Sequence, residues 1–560
     1  MAVNLASINR SVMERAAAIG LSIDCLGDGD VNSEVLIIGE APGRQESQMK
    51  MPLVGPSGKF IWECLREYGI TRTKCYITNV IKKQLVDDVE GKQGVSKNEV
   101  SHWQGILDYE VSQLPNIRYV LLLGSHALRA FTGHEGIEQW RGTVLTDGSK
   151  QIIIAYNPAN LMRKPSLEPI FKLDISKLEM CRRGLWSEYS IEPYIDPSPA
   201  EAIRWCDKMI QEDTPVSFDI EVIGNETACV GFANSAHEGM CINFREREDN
   251  RWSLADERRV RVAIQRVVRH SKVRLVAQNG GFDSAWLWYK DRIKVRPLWL
   301  DTLLAHHTLH PTWPHNLGFL TAQYTTHPFY KDEKDDWREG GDISSFWIYN
   351  VKDCCITWTV AKRLQEDLVK QGLDKFFHNH VMRLQPHLVG ATVLGNKIDL
   401  VMKAQLSAEY QTELQQLYDT AQHQIRTAVG DAEYPEVNLN SPKQLGELFF
   451  RTLHLVGKGV STNEDNRNAM IDNPRTKPIC KELLITINRY KEKHKLFSTY
   501  IESKVDPDGR MRSDYKQYGT QFVPGRLSSA QTLWGSGMNL QNQPEMLRGM
   551  FIADKVLVND

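Results

Sequence analysis

Val216-Ser217-Phe218-Asp219-Ile220-Glu221 decides how this chain is read. Apolar residues alternate with polar ones, and a period of two is that of a β-strand with one buried face. The alternation sets Asp219 and Glu221 side by side on the other face. Neighbouring carboxylates repel each other and lose solvation together, so the pair calls for a cation, and oxygen-only ligands suit Mg²⁺ or Mn²⁺. An exposed strand face with two solvated acids is the plainer alternative for this stretch alone.

Outward from that strand, further acids fall into order. Leu275–Asn279 is a second apolar strand. Gly280 and Gly281 turn the chain, and Asp283 falls near a helix start. In Trp347–Cys355, Tyr349 and Asp353 are four residues apart, one face of a helix. The set is therefore Asp219, Glu221, Asp283 and Asp353, with Tyr349 one turn before the last acid. This order resembles the DEDD-type 3′–5′ exonucleases of the tyrosine subclass, as in the proofreading domain of family A DNA polymerases. Asp301–His307 and His315–Leu320 match that family too. The resemblance implies a ribonuclease H-like domain in which Asp219, Glu221, Asp283 and Asp353 hold two Mg²⁺ ions, with Mn²⁺ an alternative. By the resemblance, Asp219 would bridge both ions and Tyr349 would orient the attacking water. His306, His307 and His315 are read as structural.

Upstream, Val35–Gly39, Tyr76–Ile81, Tyr119–Leu123 and Ile152–Tyr156 are apolar strands with helical segments between them, among them one from about Lys59 to Tyr68. That alternation predicts a doubly wound α/β layer, with a ligand pocket at the carboxyl ends of its strands, where Glu40, Asn79 and Asn157 sit. The pieces Gly39–Gly43, Pro52–Gly58, Tyr76–Val80 and Asn157–Arg163 resemble the uracil-DNA glycosylase superfamily, especially its iron–sulfur (family 4) branch. By the resemblance, Glu40, Leu53, Asn79 and Asn157 form a pocket for a flipped base. Leu53 replaces the stacking phenylalanine and Asn157 replaces a histidine. Lys83 and Gln84 stand where a cluster cysteine is expected, so no iron–sulfur cluster is expected.

Between these blocks, Ile191–Pro199 is proline-rich and reads as a partly extended linker. A helix from about Ala200 to Gln211 follows it.

The last third is helical in pattern. Ser441 is a natural helix cap with Pro442 at the first helical position. Glu482–Ser498 is a long helix ending in a basic run, Arg489, Lys491, Lys493 and Lys495, suited to phosphates or simply solvated. Gly525–Ser529, Asn539–Pro544 and Leu547–Asp554 resemble the thumb-to-palm segment of family A DNA polymerases. The resemblance makes Arg526, Asn539, Gln541 and Asn542 primer–template contacts and equates Asp560 with the first catalytic aspartate of the palm. The remainder of the polymerase site lies outside the sequence. Polymerisation is thus expected only with a missing C-terminal part, for which a separate polypeptide from a split gene, an intron or intein, and a fragment each fit. The apolar stretch Leu547–Val558 is expected to be exposed for want of partner strands.

The bulk properties set the outer bounds. At 560 residues, about 150 per domain predicts three or four domains. The expected division is 1–190 glycosylase-like, 191–213 linker and helix, 214–370 exonuclease, and 371–560 thumb with a truncated palm. The fold class is thus multidomain α/β and α+β with a mostly helical last part. A net charge of −2 leaves nucleic-acid binding to local clusters. The ten cysteines contain no C-x-x-C, so reduced thiols are expected. With neither signal core nor membrane span, a cytoplasmic protein is expected, in a host cell if viral, since the fused architecture looks like that of a bacteriophage replicative enzyme. The expected partners are DNA primer–template and single-stranded 3′ ends. The alternatives are a uracil-DNA glycosylase-type repair or uracil-sensing protein, and a non-catalytic DNA-binding scaffold for a split polymerase.

Overall fold

A computed structural model of the chain describes residues 4–85, 97–187, 189–246, 249–335, 337, 341–519, 525–532 and 534–554. Two compact units divide it: residues 1–280 with 294–382, and residues 281–293 with 383–560.

The first unit holds two six-stranded sheets. The first comprises β1 (Asp28–Gly29), β2 (Val35–Gly39), β3 (Cys75–Asn79), β4 (Tyr119–Leu123), β5 (Val144–Asp147) and β6 (Lys150–Ala155), in the order β1-β3-β2-β4-β6-β5. The four central strands run parallel, and β1 and β5 add antiparallel edges. β2 and β3 are buried along their whole length. That is why they read as continuous apolar runs rather than alternating ones. The strand order reverses between β2 and β4, which opens a crevice at their carboxyl ends. Around the crevice stand α1 (Pro56–Glu67), α2 (Ser125–Thr132) and α3 (Pro158–Arg163).

The helix α4 (Glu168–Arg182) carries this region onto the next. Asp174 pairs with Arg141 in the interior, and the Arg141 guanidinium lies 4.8 Å over the ring of Phe319. Lys177 donates to the carbonyls of Gly142 and Ala322. Burial pushes its amine down to about 7.

The residues expected to be a linker differ from that reading. Glu192–Tyr194 is a strand, β7, paired parallel to Glu238–Met240 at the edge of the second sheet. The following helix α5 (Pro199–Gln211) begins with a reciprocal Ser198–Glu201 capping box, so its start is strongly specified. The second sheet adds β8 (Val216–Ile223), β9 (Glu226–Ala233), β10 (Glu238–Asn243), β11 (Leu275–Ala277) and β12 (Leu300–Asp301), in the order β12-β11-β8-β9-β10-β7. The long helix α6 (Ser344–Lys370) lies across β8, β9 and β10. It comes close because Gly231 has no side chain: a Cβ there would sit 2.3 Å from Asn350 Oδ1 and 2.7 Å from Cys354 Sγ. Ser217 Oγ fastens the helix by donating to the Cys354 carbonyl at 2.7 Å.

In the second unit, α7 (Leu400–Val429) packs on α8 (Pro478–Leu496) over a core that includes Leu414, Ile425, Leu445, Phe449, Leu483 and Ile487. Ser441 caps and Pro442 opens a short helix, as the sequence indicates. The expected exposure of Leu547–Val558 is corrected in part: Ile552 stays 41 % exposed, but the apolar residues before it do not. Phe551–Ile552 pairs with Asn396–Ile398, and Leu547 and Met550 are fully buried. The partner strand comes from the start of this unit, a long-range pairing with no local signal. Among the described residues, no helix is long and apolar enough to cross a membrane.

Candidate metal centre and nucleobase pocket

On β8, Asp219 and Glu221 face the same side, opposite Gly231 and Cys229 of β9. α6 brings Asp353 to them. Single carboxylate oxygens of Asp219, Glu221 and Asp353 all lie within 4.8 Å of one another, a spacing that can hold a metal ion. The plainer alternative, two solvated acids on an exposed strand face, does not hold: Glu221 is 7 % exposed and Asp219 is half-buried. Asn350, one turn before Asp353, donates from Nδ2 to Asp219 Oδ2 at 2.9 Å and fixes its orientation. The buried Tyr330 donates its hydroxyl to Asp353 Oδ1 at 2.6 Å. Asp283 is buried in the first turn of the helix Gly281–Tyr289, which belongs to the second unit. The turn before it is held by Asp301, whose carboxylate accepts from the N–H groups of Asn279 (3.1 Å) and Gly280 (2.8 Å). Asp301 thus has a structural task in the motif that contains it.

Two cations sit on the acids. Lys331 Nζ donates to both oxygens of Asp353 at 2.6 Å and to the Tyr349 hydroxyl at 2.8 Å. Lys334 Nζ donates to Glu221 at 2.9 and 3.2 Å. Burial raises the Glu221 carboxyl above the usual carboxylate range, Asp353 adding to the rise, although Lys334 opposes it. Burial alone would lower Lys334, but Glu221 beside it holds its ammonium above the ordinary value. Burial and the surrounding carboxylates push the Tyr349 phenol far up, so it stays protonated. Lys331, Lys334 and Asn350 were not singled out from sequence. Tyr330–Lys334 reads as an ordinary charged loop, and only its placement gives it meaning.

The predicted histidines lie apart from this chemistry. His306 and His315 approach Nδ1 to Nδ1 at 2.8 Å, which requires one ring to donate and the other to accept. Burial depresses both, His306 to about 2 and His315 to about 4. Neutral, mutually bonded rings in a core are what the structural reading expects.

In the first sheet, Glu40, Leu53, Asn79 and Asn157 line one cavity of about 660 Å³, together with His126 and Arg163. Glu40 Oε1 accepts from the His126 N–H and from its Nδ1, each at 3.0 Å, and the Asn157 amide donates to Oε2. Burial alone would raise the Glu40 carboxyl, but these hydrogen bonds outweigh it and hold the group below its usual value. Asn157 also caps α3, its Oδ1 accepting from the Ala159 N–H at 2.9 Å. Leu53 has a left-handed backbone, φ 52°, and its carbonyl accepts from Trp62 Nε1 at 3.0 Å. The backbone there leaves no room for a side chain on Gly58, whose Cβ would lie 2.2 Å from the Leu53 carbonyl group. Behind Asn79, Lys82 and Glu110 form an ion pair at 2.6 Å, both wholly buried. His126 was missed. The strand-end rule that found Glu40, Asn79 and Asn157 applies equally to β4, which ends three residues before it.

In the second unit, helical periodicity separates the basic run. Arg489 and Lys493 share a face beside a cavity of about 610 Å³, and Lys493 pairs with Glu413. Lys491 and Lys495 lie two residues out of step with that face. Asn539 Oδ1 accepts from Ser529 Oγ (2.7 Å) and the Gln541 N–H (2.9 Å), and Gln541 Nε2 donates to the Leu527 carbonyl at 3.2 Å. Arg526 and Asn542 are exposed. Asp560 lies outside the described residues.

Three family models match in succession: the uracil DNA glycosylase superfamily over residues 26–179, a 3′–5′ exonuclease over 198–369, and DNA polymerase family A over 404–559. A type-4 uracil-DNA glycosylase of Archaeoglobus fulgidus is 32 % identical over 28 % of this chain and 80 % of its own length. A DNA polymerase I of Helicobacter pylori is 33 % identical over 40 % of this chain, which spans 22 % of that relative. Among solved structures, the POL domain of Pol1 from M. smegmatis, in complex with DNA primer-template and dNTP, matches with a TM-score of 0.48 and 17 % identity, over 65 % of this chain and 59 % of that one. The chain is thus a nucleic-acid-processing enzyme. It belongs to the uracil-DNA glycosylase superfamily through its first third, and it continues into a 3′–5′ exonuclease domain and a family A DNA polymerase domain.

Proposed function

We propose that the chain is the N-terminal portion of a family A DNA-directed DNA polymerase acting in viral DNA replication, and that its second domain is a two-metal proofreading exonuclease. Its divisions are 1–190, 191–213, 214–370 and 371–560. The observation that carries this reading is the gathering of Asp219, Glu221 and Asp353 from β8 and α6, with ammonium groups standing where cations belong. The set is all oxygen, which fits Mg²⁺ or Mn²⁺. Asp219, Glu221 and Asp353 would hold the ions, with Asp283 as the fourth acid by the family pattern. Divalent ions, when bound, supply a hydroxide nucleophile and stabilise the leaving 3′-oxygen.

The chain's own residues do the rest. Asn350 and Tyr330 orient Asp219 and Asp353 through the hydrogen bonds described. Tyr349, protonated throughout the physiological range, orients the attacking water as a donor rather than acting as a base. DNA primer–template and single-stranded 3′ ends are its substrates. Arg526, Asn539, Gln541, Asn542 and the basic residues Arg489, Lys491, Lys493 and Lys495 contact the duplex. By the family pattern, Asp560 would be one acid of the polymerase site. A 5′-labelled primer with a 3′ mismatch tests the exonuclease. Metal-dependent laddering from the 3′ end is expected, and Asp219→Ala should slow it about 10³-fold, the equivalent of several kcal/mol of charge stabilisation. Laddering that survives Asp219→Ala would sink the reading.

A second reading concerns the first domain: a pocket that recognises a uracil base without cleaving it. Both oxygens of Glu40 are already engaged by His126 and Asn157, which favours holding over activating water. A uracil-containing oligonucleotide should bind more tightly than its thymine counterpart and release no free uracil. Uracil release by the purified chain would convert this reading into glycosylase activity.

A further inference from the structure

Resting on the metal-centre reading, we propose that Lys331 and Lys334 are built-in competitors of the divalent ions, held over the acids by the segment Tyr330–Lys334 so that metal enters by displacing them. Both ammonium groups bond the same carboxylate oxygens that would ligate an ion: Lys331 takes both oxygens of Asp353, and Lys334 takes both of Glu221. A cation at those oxygens and a lysine at those oxygens exclude each other.

The fold places the lysines there without relying on the contacts themselves. Tyr330, fully buried, roots the segment with its hydroxyl on Asp353 and its ring against those of His327 and Tyr349. Beyond it, Glu333 pairs with Lys352 of α6. With the segment held at both ends, the long lysine stems can swing while the backbone stays. The Lys331 and Lys334 side chains are 21 % and 33 % exposed, so each has solvent on one side into which to move. A displaced ammonium stays within side-chain reach of the centre, where the incoming phosphodiester brings negative charge. The lysines then shift from carboxylate to phosphate as metal and DNA arrive together. The consequence is a centre that loads weakly with metal alone and more tightly with a 3′ end present.

Manganese titration of the full chain, following free Mn²⁺ by electron paramagnetic resonance, tests this apart from activity. Lys331→Met and Lys334→Met keep the stem and remove the charge. Each should tighten Mn²⁺ binding about tenfold, given the strength of a charge-assisted hydrogen bond reduced by partial exposure. The double variant should tighten it further. Lys331→Arg, which keeps the charge, should not tighten it. Melting transitions verify folding, and Lys331→Gln and Lys334→Gln replace any methionine variant that lacks one. The midpoint of the uncharged variants should rise more on adding Mn²⁺ than that of the unaltered chain. Unchanged or weaker Mn²⁺ affinity in folded, uncharged variants overturns the competition and leaves the metal centre standing. Mn²⁺ binding that Asp219→Ala does not reduce overturns the metal centre and the competition with it.

Discussion

At the end of β2, Glu40 receives a main-chain N–H, a ring nitrogen and a carboxamide, while on β8 Glu221 receives the ammonium of a lysine. Both are glutamates beside a central strand of a six-stranded sheet. The first is completed by groups that α2 and α3 fix in place. Its network is closed, and the carboxylate is held ionised by geometry. The second stands among other carboxylates, and what balances it is the end of a long flexible side chain. Such a balance is exchangeable. A divalent ion can take the place of Lys334, whereas nothing of comparable charge can displace the backbone of His126. The difference separates a pocket built to hold a shape from a centre built to exchange cations.

The largest expected effect tests whether the pocket is closed in this sense. Lys82 and Glu110 support Asn79 from behind, and Glu110 also accepts from Tyr76 at 2.9 Å and from Thr78 at 3.0 Å. Lys82→Met strands a wholly buried carboxylate and should destabilise the protein by about 3–5 kcal/mol. Asp219→Ala, in EDTA, removes one of three crowded acids and should change stability by less than about 1 kcal/mol, since a charged functional centre is strained before its cation arrives. Denaturant or thermal unfolding compares the two. Equal losses would erase the distinction between a structural polar network and an exchangeable one.

How far the sequence reveals each site follows the same division. Asp219, Glu221, Tyr349 and Asp353 are legible because strand and helix periods place them, and period is a local property. Glu40, Asn79 and Asn157 are legible because parallel strands end where ligands bind. The four parallel strands of the first sheet and the cap at Ser441 are found where the pattern puts them. What escapes is what arrives from elsewhere. Lys331 and Lys334 reach the acids from a loop with no period. His126 comes from a strand end whose helix hides it. Phe551–Ile552 finds a partner strand more than a hundred residues upstream. β7 is a strand only because β10 offers it an edge, and the three prolines of Ile191–Pro199 make it read as a linker.

The smallest effect is the sharpest comparison, because the two glutamates should respond to pH with opposite sign. Glu40 titrates below its unfolded value. Between its folded and unfolded pKa the unfolded chain binds more protons, so stability rises with pH; the contribution is complete above the unfolded value and is lost as pH falls through the folded one. Glu221 titrates above its unfolded value. There the folded chain binds more protons, so stability falls as pH rises from the unfolded pKa through the folded one. Glutamine cannot titrate, so each substitution removes one of these slopes. In EDTA, the melting temperature of Glu40→Gln relative to the unaltered chain should fall as pH rises, and that of Glu221→Gln should rise. Changes of about 2–4 °C correspond to roughly 1 kcal/mol in a domain of this size. Added Mn²⁺ should reverse the Glu221 slope, because an ion at that carboxylate holds it deprotonated in the folded chain while the unfolded chain still takes up the proton, and should leave the Glu40 slope untouched. Slopes of the same sign would mean that burial governs both glutamates alike, and that the hydrogen bonds from His126 and Asn157 do not offset it at Glu40.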